Sequence, residues 1–516
     1  MLFLYAQRTS VSLCFFYGRR KIMSKIQITD LTYRYPGSVK PIFEKVSFIL
    51  DSHWKLGFIG RNGAGKTTFL NLLLGKESYQ GQISKPIECL YFPYEVKDKT
   101  QTVSQILEQI EPEVEVWKMQ RELQLLGIKD EILESVYETL SGGEQAKVML
   151  ASLFAKEDVF LLLDEPTNHL DQETKKMIQV YLAKKSGFIL VSHDRELLDK
   201  TVDHILAINR TNIEIIKGNY SVWKENKDRK EHEESIQNEI LQRDIGRLQK
   251  ASKNTVDWSD KVEKTKYGTR NAGLRPDRGY IGHQSAKMMK RAKAIEARYE
   301  KEIKQKENLL QNVEKKEALM MKPLVYEKNK LATVYQLNIC YDMKPIVEHV
   351  SFTIEKGDRI AIIGNNGSGK SSILKVLLGE SGIPHTGTCE IDKNIKISYV
   401  CQNTEILKGN LKEFIRENQL EEPIFKAMLS KLGITSEEFD KDISCYSEGQ
   451  KKKILLAKSI SEPAHLYIWD EPLNYIDILS RIQIEEMLLK YQPTMIFVEH
   501  DDTFIKQIAN KEILIG

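Results

Sequence analysis

Strong net charge, clustered cysteines and long apolar runs are all missing from this 516-residue chain, and each absence closes off a class of protein. Its 76 Lys and Arg stand against 73 Asp and Glu, so the formal balance of +3 excludes a wholly basic nucleic-acid coat or an acidic solvating chain. The six cysteines, at 14, 89, 340, 389, 401 and 445, form no close pair and no metal-ligand spacing. They read as reduced cytosolic thiols instead of a disulfide frame or a zinc site. No apolar stretch approaches the roughly 20 residues needed to cross a bilayer. The apolar opening MLFLYAQRTSVSLCFFYGRRKI carries its charges after the apolar part, unlike a secretory leader. Residues 1–22 therefore read as an upstream start or an extension ahead of a first strand. What is present is a hydrophobic fraction of 41% on a chain too long for one domain, which predicts about three globular units.

From Ile26 to Leu50 two alternating segments around a Pro-Gly turn predict short strands. The apolar run LGFI then leads into Gly60, Asn62, Gly63, Gly65, Lys66, Thr67 and Thr68, with a helical pattern behind them. Strand, glycine loop and helix in that order are what a phosphate-binding loop requires. The glycines let backbone N–H groups turn onto phosphate, and the helix N-terminus adds partial positive charge. Lys66 reaches the β and γ oxygens, and Thr67 offers a hydroxyl to Mg²⁺. The implied ligand is a nucleotide with β- and γ-phosphates. Further on, the buried-strand pattern Val159–Leu163 ends in Asp164-Glu165-Pro166. Asp164 reads as the Mg²⁺-side carboxylate and Glu165 as the group that polarises the attacking water. His193, at the end of FILVSHD, completes the set as a neutral imidazole near the γ-phosphate.

The same parts recur. Gly364, Asn366, Gly367, Gly369, Lys370, Ser371 and Ser372 repeat the loop, Asp470 and Glu471 repeat the acidic strand end, and His500 repeats the histidine. The spacings from Gly60 to Gly364, Asp164 to Asp470 and His193 to His500 are 304, 306 and 307 residues. Such constancy indicates tandem duplication of an α/β nucleotide-binding domain, over about 23–218 and 331–516.

Residues 219–330 lie between the copies and lack their strand pattern. Two charged helical spans, from Ser221 to about Lys250 and from about Gln284 to Ala318, predict a long antiparallel hairpin. Ile236, Ile240, Leu241, Ile245 and Leu248 form one stripe, and Met288, Ala292, Ile295, Tyr299 and Ile303 another, so the two arms are expected to bury each other. Between Ala251 and Glu300 there are 12 Lys and Arg against 6 Asp and Glu, a net of +6 in a nearly neutral chain. Trp258, Lys261, Lys264, Lys266, Tyr267, Arg270, Arg275 and Arg278 are the candidate contacts to phosphate-rich RNA at the tip. The bland alternative is a solvated charged surface.

Leu140-Ser141-Gly142-Gly143-Glu144-Gln145 resembles the signature of ABC-type ATPases, and with the loops above it both halves resemble ABC cassettes. Two cassettes on one chain, a helical linker and the text DEPTNHLD from Asp164 to Asp171 are similar to the ABC-F class of translation-associated ATPases. The segments LYIWDEPLNY and RGYIGHQSAKMMKRAK, with a chain ending just after the second histidine strand, look like the antibiotic-resistance branch of that class. The resemblance implies tandem ABC-type P-loop ATPase domains joined by a helical hairpin, a cytoplasmic ATP hydrolase using ATP and Mg²⁺ and free of the membrane. It implies a bacterial 70S ribosome as partner, with ribosomal RNA and P-site tRNA, entered through the tRNA exit site. Its output would be protection from lincosamides, streptogramin A compounds and pleuromutilins. It also implies an intramolecular pair of cassettes with no obligate subunit. Ser141 and Gly143 would face ATP held by Lys370, and Ser447 and Gly449 ATP held by Lys66. Tyr35 and Tyr341 would stack on adenine, unless they are core residues. Gln402, with Ser371 and Asp470, would complete the second metal site.

This sequence departs from the family pattern at two points. Glu448 stands where the second signature should have glycine, which puts a carboxylate near nucleotide, and Tyr94 stands where the first cassette should have glutamine. Both fall on the Lys66 site, so the two sites are expected to hydrolyse at different rates. Three other readings share these parts: a housekeeping translation factor, the energy subunit of an exporter, and a DNA-repair ATPase with a coiled-coil arm. Ribosome trapping and drug susceptibility separate the first two from the resistance reading, and arm length separates the third.

Overall fold

The computed structural model describes the chain from Ser24 to Ile515, apart from residues 37–40, 111, 113, 169, 210–211, most of 266–318, 342–343, 366 and 381. Residues 1–22 thus lie outside the described residues.

Each half is built on two sheets. In the first, β1 (Lys25–Tyr33) pairs antiparallel with β2 (Phe43–Asp51) and β4 (Gln80–Ser84). Alternation drives this sheet: Ile26, Ile28 and Leu31 are buried while Lys25 and Gln27 point out. The second sheet runs β5 (Glu88–Phe92), β6 (Val159–Asp164), β7 (Phe188–Val191), β3 (Lys55–Gly60), β8 (His204–Asn209) and β9 (Asn212–Lys217) in that spatial order. Its first five strands are parallel, and β9 returns antiparallel to β8. Leu161, Leu162, Leu163, Ile189 and Leu190 are buried without alternation, as expected where both sheet faces are covered.

The second half repeats the design. β10 (Lys330–Tyr341) pairs with β11 (Lys344–Glu355) and β13 (His385–Ile391). The parallel sheet has the order β14 (Ile397–Val400), β15 (Leu466–Asp470), β16 (Met495–Val498), β12 (Arg359–Ile363) and β17 (Lys511–Leu514). This order brings three neighbouring strand ends to one edge in each half. The glycine loop follows β3 or β12, the acidic pair ends β6 or β15, and the histidine follows β7 or β16. In an open α/β sheet this carboxyl edge is where ligands bind.

The helix leaving the first half, Tyr220–Thr265, is 46 residues long, about 69 Å. It runs some fifteen residues past the end expected from the sequence, so Trp258, Lys261 and Lys264 belong to its last turns and not to a loop. Lys266, Tyr267, Arg270, Arg275 and Arg278 lie outside the described residues. The residues of the expected seam that are described differ in burial. Ile245 is buried and Leu241, Leu248 and Tyr299 are half-buried, but Ile236 and Ile240 are 47% and 52% exposed and Ile295 is 41% exposed. Met288, Ala292 and Ile303 of the returning stripe lie outside the described residues. The helix is rooted by Tyr220 and Trp223 in the first core, and Leu319 and Met321 pack into the second. Among the described residues, no helix is long and apolar enough to cross a membrane.

Candidate active sites

In both halves the glycine loop closes on its own lysine. Lys66 Nζ donates to the carbonyls of Gly60 (2.8 Å) and Arg61 (3.2 Å) and approaches Asn62 Oδ1 (3.5 Å). Lys370 Nζ donates to those of Gly364 (2.9 Å) and Asn365 (2.8 Å). Gly65 and Gly369 precede the helices Lys66–Leu74 and Lys370–Leu377 with φ of 97° and 88°. A Cβ at Gly65 would sit 2.6 Å from Ile42 Cγ2, and one at Gly369 2.5 Å from Val347 Cγ2, so neither position accepts a side chain. Gly63 and Gly367 also have positive φ, and Asn366 lies outside the described residues.

The hydroxyl after each lysine meets the acidic strand end. Thr67 Oγ1 donates to Asp164 Oδ2 at 3.0 Å, and Ser371 Oγ to Asp470 Oδ1 at 3.1 Å. A tyrosine that sequence reasoning missed, Tyr91, also donates to Asp164 Oδ2 at 3.1 Å. Burial and the Asp164 charge push its phenol up. Its signal was present in the repeat, because Tyr399 occupies the matching place on β14 beside Asp470.

The next residue carries the chemistry. Glu165 and Glu471 both have positive φ, 50° and 45°, a conformation costly for a residue with a side chain and here repeated at matching positions. His193 Nε2 lies 3.4 Å from Glu165 Oε1, and His500 Nε2 lies 3.5 Å from Glu471 Oε1. The two glutamates nevertheless differ. Burial pushes Glu165 up to about 8, against the pull of Lys66, and its Oε1 has no hydrogen-bond donor among the described residues. Burial also opposes charge on Glu471, but hydrogen bonds from His500 and Gln402 outweigh it and hold the carboxyl below its ordinary value. Asn474 Nδ2 adds a third donor at 2.6 Å. Tyr94, the first-half substitute for glutamine, is 39% exposed and makes no hydrogen bond to Glu165 among the described residues. His193 is held well below its ordinary value by burial and then by Lys66 and Arg481, which keeps the ring neutral.

Ser141 and Ser447 are N-caps. Each hydroxyl accepts the N–H three residues on at 3.3 Å, Glu144 in one helix (Gly142–Ala155) and Gln450 in the other (Glu448–Ser461). The second signature meets the first loop. Asn62 Nδ2 donates to Tyr475 O at 2.6 Å, Asn62 N approaches Asp477 Oδ2 at 3.4 Å, and a Cβ on Gly449 would lie 2.9 Å from Asn62 Nδ2. Gly143 faces Thr174 of its own half, and no hydrogen bond among the described residues joins it or Ser141 to the Lys370 loop. The Glu448 carboxylate takes the Thr404 hydroxyl and pairs with Lys451 at 3.2 Å, both partners in its own half.

Tyr35 and Tyr341 are 46% and 37% exposed, which removes the core reading. Their hydroxyls meet matching partners in the loop helices, Thr68 Oγ1 at 2.6 Å and Ser372 Oγ at 3.2 Å.

Between the halves, Ile478 and Ile482 enter the first core, Gln172 Nε2 donates to Asp502 Oδ1 at 2.7 Å, and Arg195 Nη1 pairs with Glu485 Oε2 at 2.9 Å, both side chains buried. A polar cavity at this junction is lined from both sides, by Glu165, His193 and Gln172 and by His500, Glu499 and Arg481. Glu499 was also missed by sequence reasoning. Its two oxygens accept the N–H groups of Leu473 (2.7 Å) and His500 (3.0 Å), bracing the loop that carries the histidine.

Two glycine loops, each joined to an acidic strand end, a glutamate–histidine pair and a capped signature helix, define a tandem ABC ATPase, which hydrolyses ATP to ADP and phosphate. The family model described as ABC transporter matches residues 43–168 and 347–474, one stretch in each half. The likeness to curated proteins runs across nearly the whole chain, linker included. The protein is 27% identical over 505 residues to the ribosome protection protein VmlR of Bacillus subtilis, covering 95% of this chain and 86% of that one. It is 29% identical over 525 residues to the ATP-binding protein Uup of Buchnera aphidicola, covering 95% and 80%. The fold matches a solved complex of archaeal ribosomal stalk protein and archaeal ribosome recycling factor, with a TM-score of 0.59, 18% identity and coverage of 94% and 87%.

Proposed function

We propose that this ATPase works on the bacterial ribosome, entering the tRNA exit site and protecting the peptidyl-transferase centre from lincosamides, streptogramin A compounds and pleuromutilins. The observation that carries the reading is the helix Tyr220–Thr265, about 69 Å of it rooted in the first ATPase core and heading a segment of net charge +6. A positive concentration at the end of a projecting arm suits phosphate-rich RNA. The VmlR likeness, over nearly the whole chain, supports the same partner.

ATP bound at both sites would join the halves, with phosphates between Lys66 and the Ser447–Gly449 helix end and between Lys370 and the Ser141–Gly143 end. The oxygen pairs Thr67–Asp164 and Ser371–Asp470 are the donor set a hard cation takes, with Gln402 beside the second. When bound there, Mg²⁺ would neutralise phosphate charge. Glu165 and Glu471 accept the proton of the attacking water as it adds to the γ-phosphorus and the bond to the ADP oxygen breaks. His193, kept neutral by burial, and His500 orient that water and the γ-phosphate. Hydrolysis then releases the halves.

The test uses a Glu165→Gln/Glu471→Gln chain, in which closure is kept and hydrolysis lost. It is expected to sediment with 70S ribosomes in ATP, while the parent raises resistance of a susceptible strain to these drugs. A variant neutralised at Lys261, Lys264, Lys266 and Arg270 is expected to lose ribosome affinity and retain ATP binding. A second reading is a translation factor without drug protection, since the chain is as similar to a relative described only as an ATP-binding protein as it is to VmlR. Ribosome trapping without a resistance phenotype would select it, and absence of ribosome trapping would sink both.

A further inference from the structure

The second signature helix, Glu448–Ser461, makes contacts toward both ATP sites through adjacent residues. On the Lys66 side, Gly449 lies against Asn62 and Tyr475, and Lys453 Nζ pairs at 2.7 Å with Asp477, the carboxylate that faces Asn62 N. The Lys453 and Asp477 side chains are 2% and 0% exposed. On the Lys370 side, Lys452 Nζ donates to the carbonyls of Cys401 (2.8 Å) and Asp470 (3.1 Å) and approaches that of Gln402 (3.5 Å), while Glu448 takes the Thr404 hydroxyl. Those carbonyls flank Gln402 and Glu471, the groups whose side chains hydrogen-bond each other.

Lys452 is 1% exposed and its three approaches are all to backbone oxygens, an expensive burial for an ammonium group. Packing does not require it. The first half builds the same helix with Ala146 at the matching position and Gly142 in place of Glu448. There Lys147 is turned to Met177 Sδ at 3.2 Å. The first half therefore lacks this route from signature helix to acidic strand.

We propose that Lys452, assisted by Glu448, is a positioning residue that makes hydrolysis in the Lys370 site depend on closure of the Lys66 site. When the Asn62 loop seats on Gly449 and Asp477, the helix setting fixes the Cys401 and Asp470 carbonyls and so the placement of Gln402 and Glu471. This rests on the assignment of the two ATP sites made above.

The experiment begins with Glu165→Gln, which confines turnover to the Lys370 site. Adding Glu471→Gln must abolish the rest, and turnover surviving both would overturn the site assignment itself. In the Glu165→Gln chain, Asn62→Ala and Lys452→Ala are each expected to lower kcat about fivefold, with KM for ATP within about twofold, and together to lower it no further. Lys452→Arg should restore most of the loss. An unchanged kcat in Lys452→Ala, or a double loss of about 25-fold, the product of independent effects, refutes the coupling. Should Lys452→Ala fail to fold, Glu448→Gly carries the same cycle, since that side chain is 46% exposed and glycine is the first half's own residue.

Discussion

Removing Arg195 leaves the Glu485 carboxylate stranded between the two halves. The pair is buried, with side chains 7% and 6% exposed, and it is incompletely satisfied: among the described residues Arg195 Nε and Nη2 and Glu485 Oε1 have no hydrogen-bond partner. A buried pair of this quality is no better than apolar residues of similar size, yet breaking it from one side costs about 3–5 kcal/mol. Protonating the stranded carboxyl sets a ceiling, because neutralising a group of ordinary pKa near 4.3 at pH 7 costs about 3.7 kcal/mol. Since the partners belong to different halves, the cost falls on their association and spares the fold of either one. With dyes on each half of the Glu165→Gln/Glu471→Gln chain, Arg195→Met is expected to weaken ATP-driven closure by two orders of magnitude or more. Arg195→Met/Glu485→Met should return to within about tenfold of the parent. Without Arg195, the remaining groups facing Glu485 are Asp501, Arg481 and Tyr220, and burial raises its carboxyl in the closed state. The closed form then binds the extra proton, so the penalty shrinks as pH falls from 7 toward 5, by about 1.4 kcal/mol per unit. A single substitution costing under threefold, or a double equal to the product of the singles, would refute the reasoning.

Three further expectations follow from the geometry. Tyr35→Ala should weaken ATP binding at the Lys66 site by about 5- to 150-fold, the worth of one base stack, while Tyr35→Phe stays near parental; an equal loss in both would assign the role to the Thr68 hydrogen bond instead. Glu499→Ser, which installs the first half's residue, leaves the Leu473 N–H unpaired and should cost the second half about 1–3 kcal/mol in denaturant unfolding, and an unchanged midpoint would count against the bracing role. Gly449→Ala drives a methyl to 2.6 Å from Tyr475 O, whereas the nearest atom to a methyl at Gly143 is Thr174 Oγ1 at 3.2 Å. Steady-state ATP turnover should accordingly fall much further for the former, and equal effects would mean that the two signatures approach their partner loops alike.

What could be read from the chain was whatever chemistry keeps contiguous. A phosphate loop is eight consecutive residues because backbone N–H groups must converge on one anion, and Asp164-Glu165 is adjacent because strand end and turn are adjacent. The histidines and the duplication followed from spacing. Tyr91 and Glu499 escaped because each acts on residues 73 or 26 positions away or on a neighbouring backbone N–H, with no local pattern to mark them. Arg195 and Glu485 are 290 positions apart and become partners only when two domains meet. At Glu448 the motif placed a carboxylate near nucleotide, and its Thr404 and Lys451 partners, one of them 44 positions away, had no local pattern to mark them. The long helix was underestimated because its polar sequence, sampled at Lys250, has no stop signal there and none was required.

Geometry at the root of that helix sets its stroke. Tyr220 and Trp223 are clamped in the first core, Ser221 N is held by Asp199 Oδ1 at 2.7 Å, and Arg195, the residue that reaches across to Glu485, stands beside Tyr220. A rigid rod of about 69 Å sweeps roughly 1.2 Å of arc per degree. A five-degree tilt at its base, small enough to need only side-chain adjustments around Trp223, would thus displace the far end by about 6 Å, more than the spacing between stacked bases. Gearing of this kind would need no large domain motion, and it would rest on four residues, Arg195, Asp199, Tyr220 and Trp223, that lie outside both glycine loops.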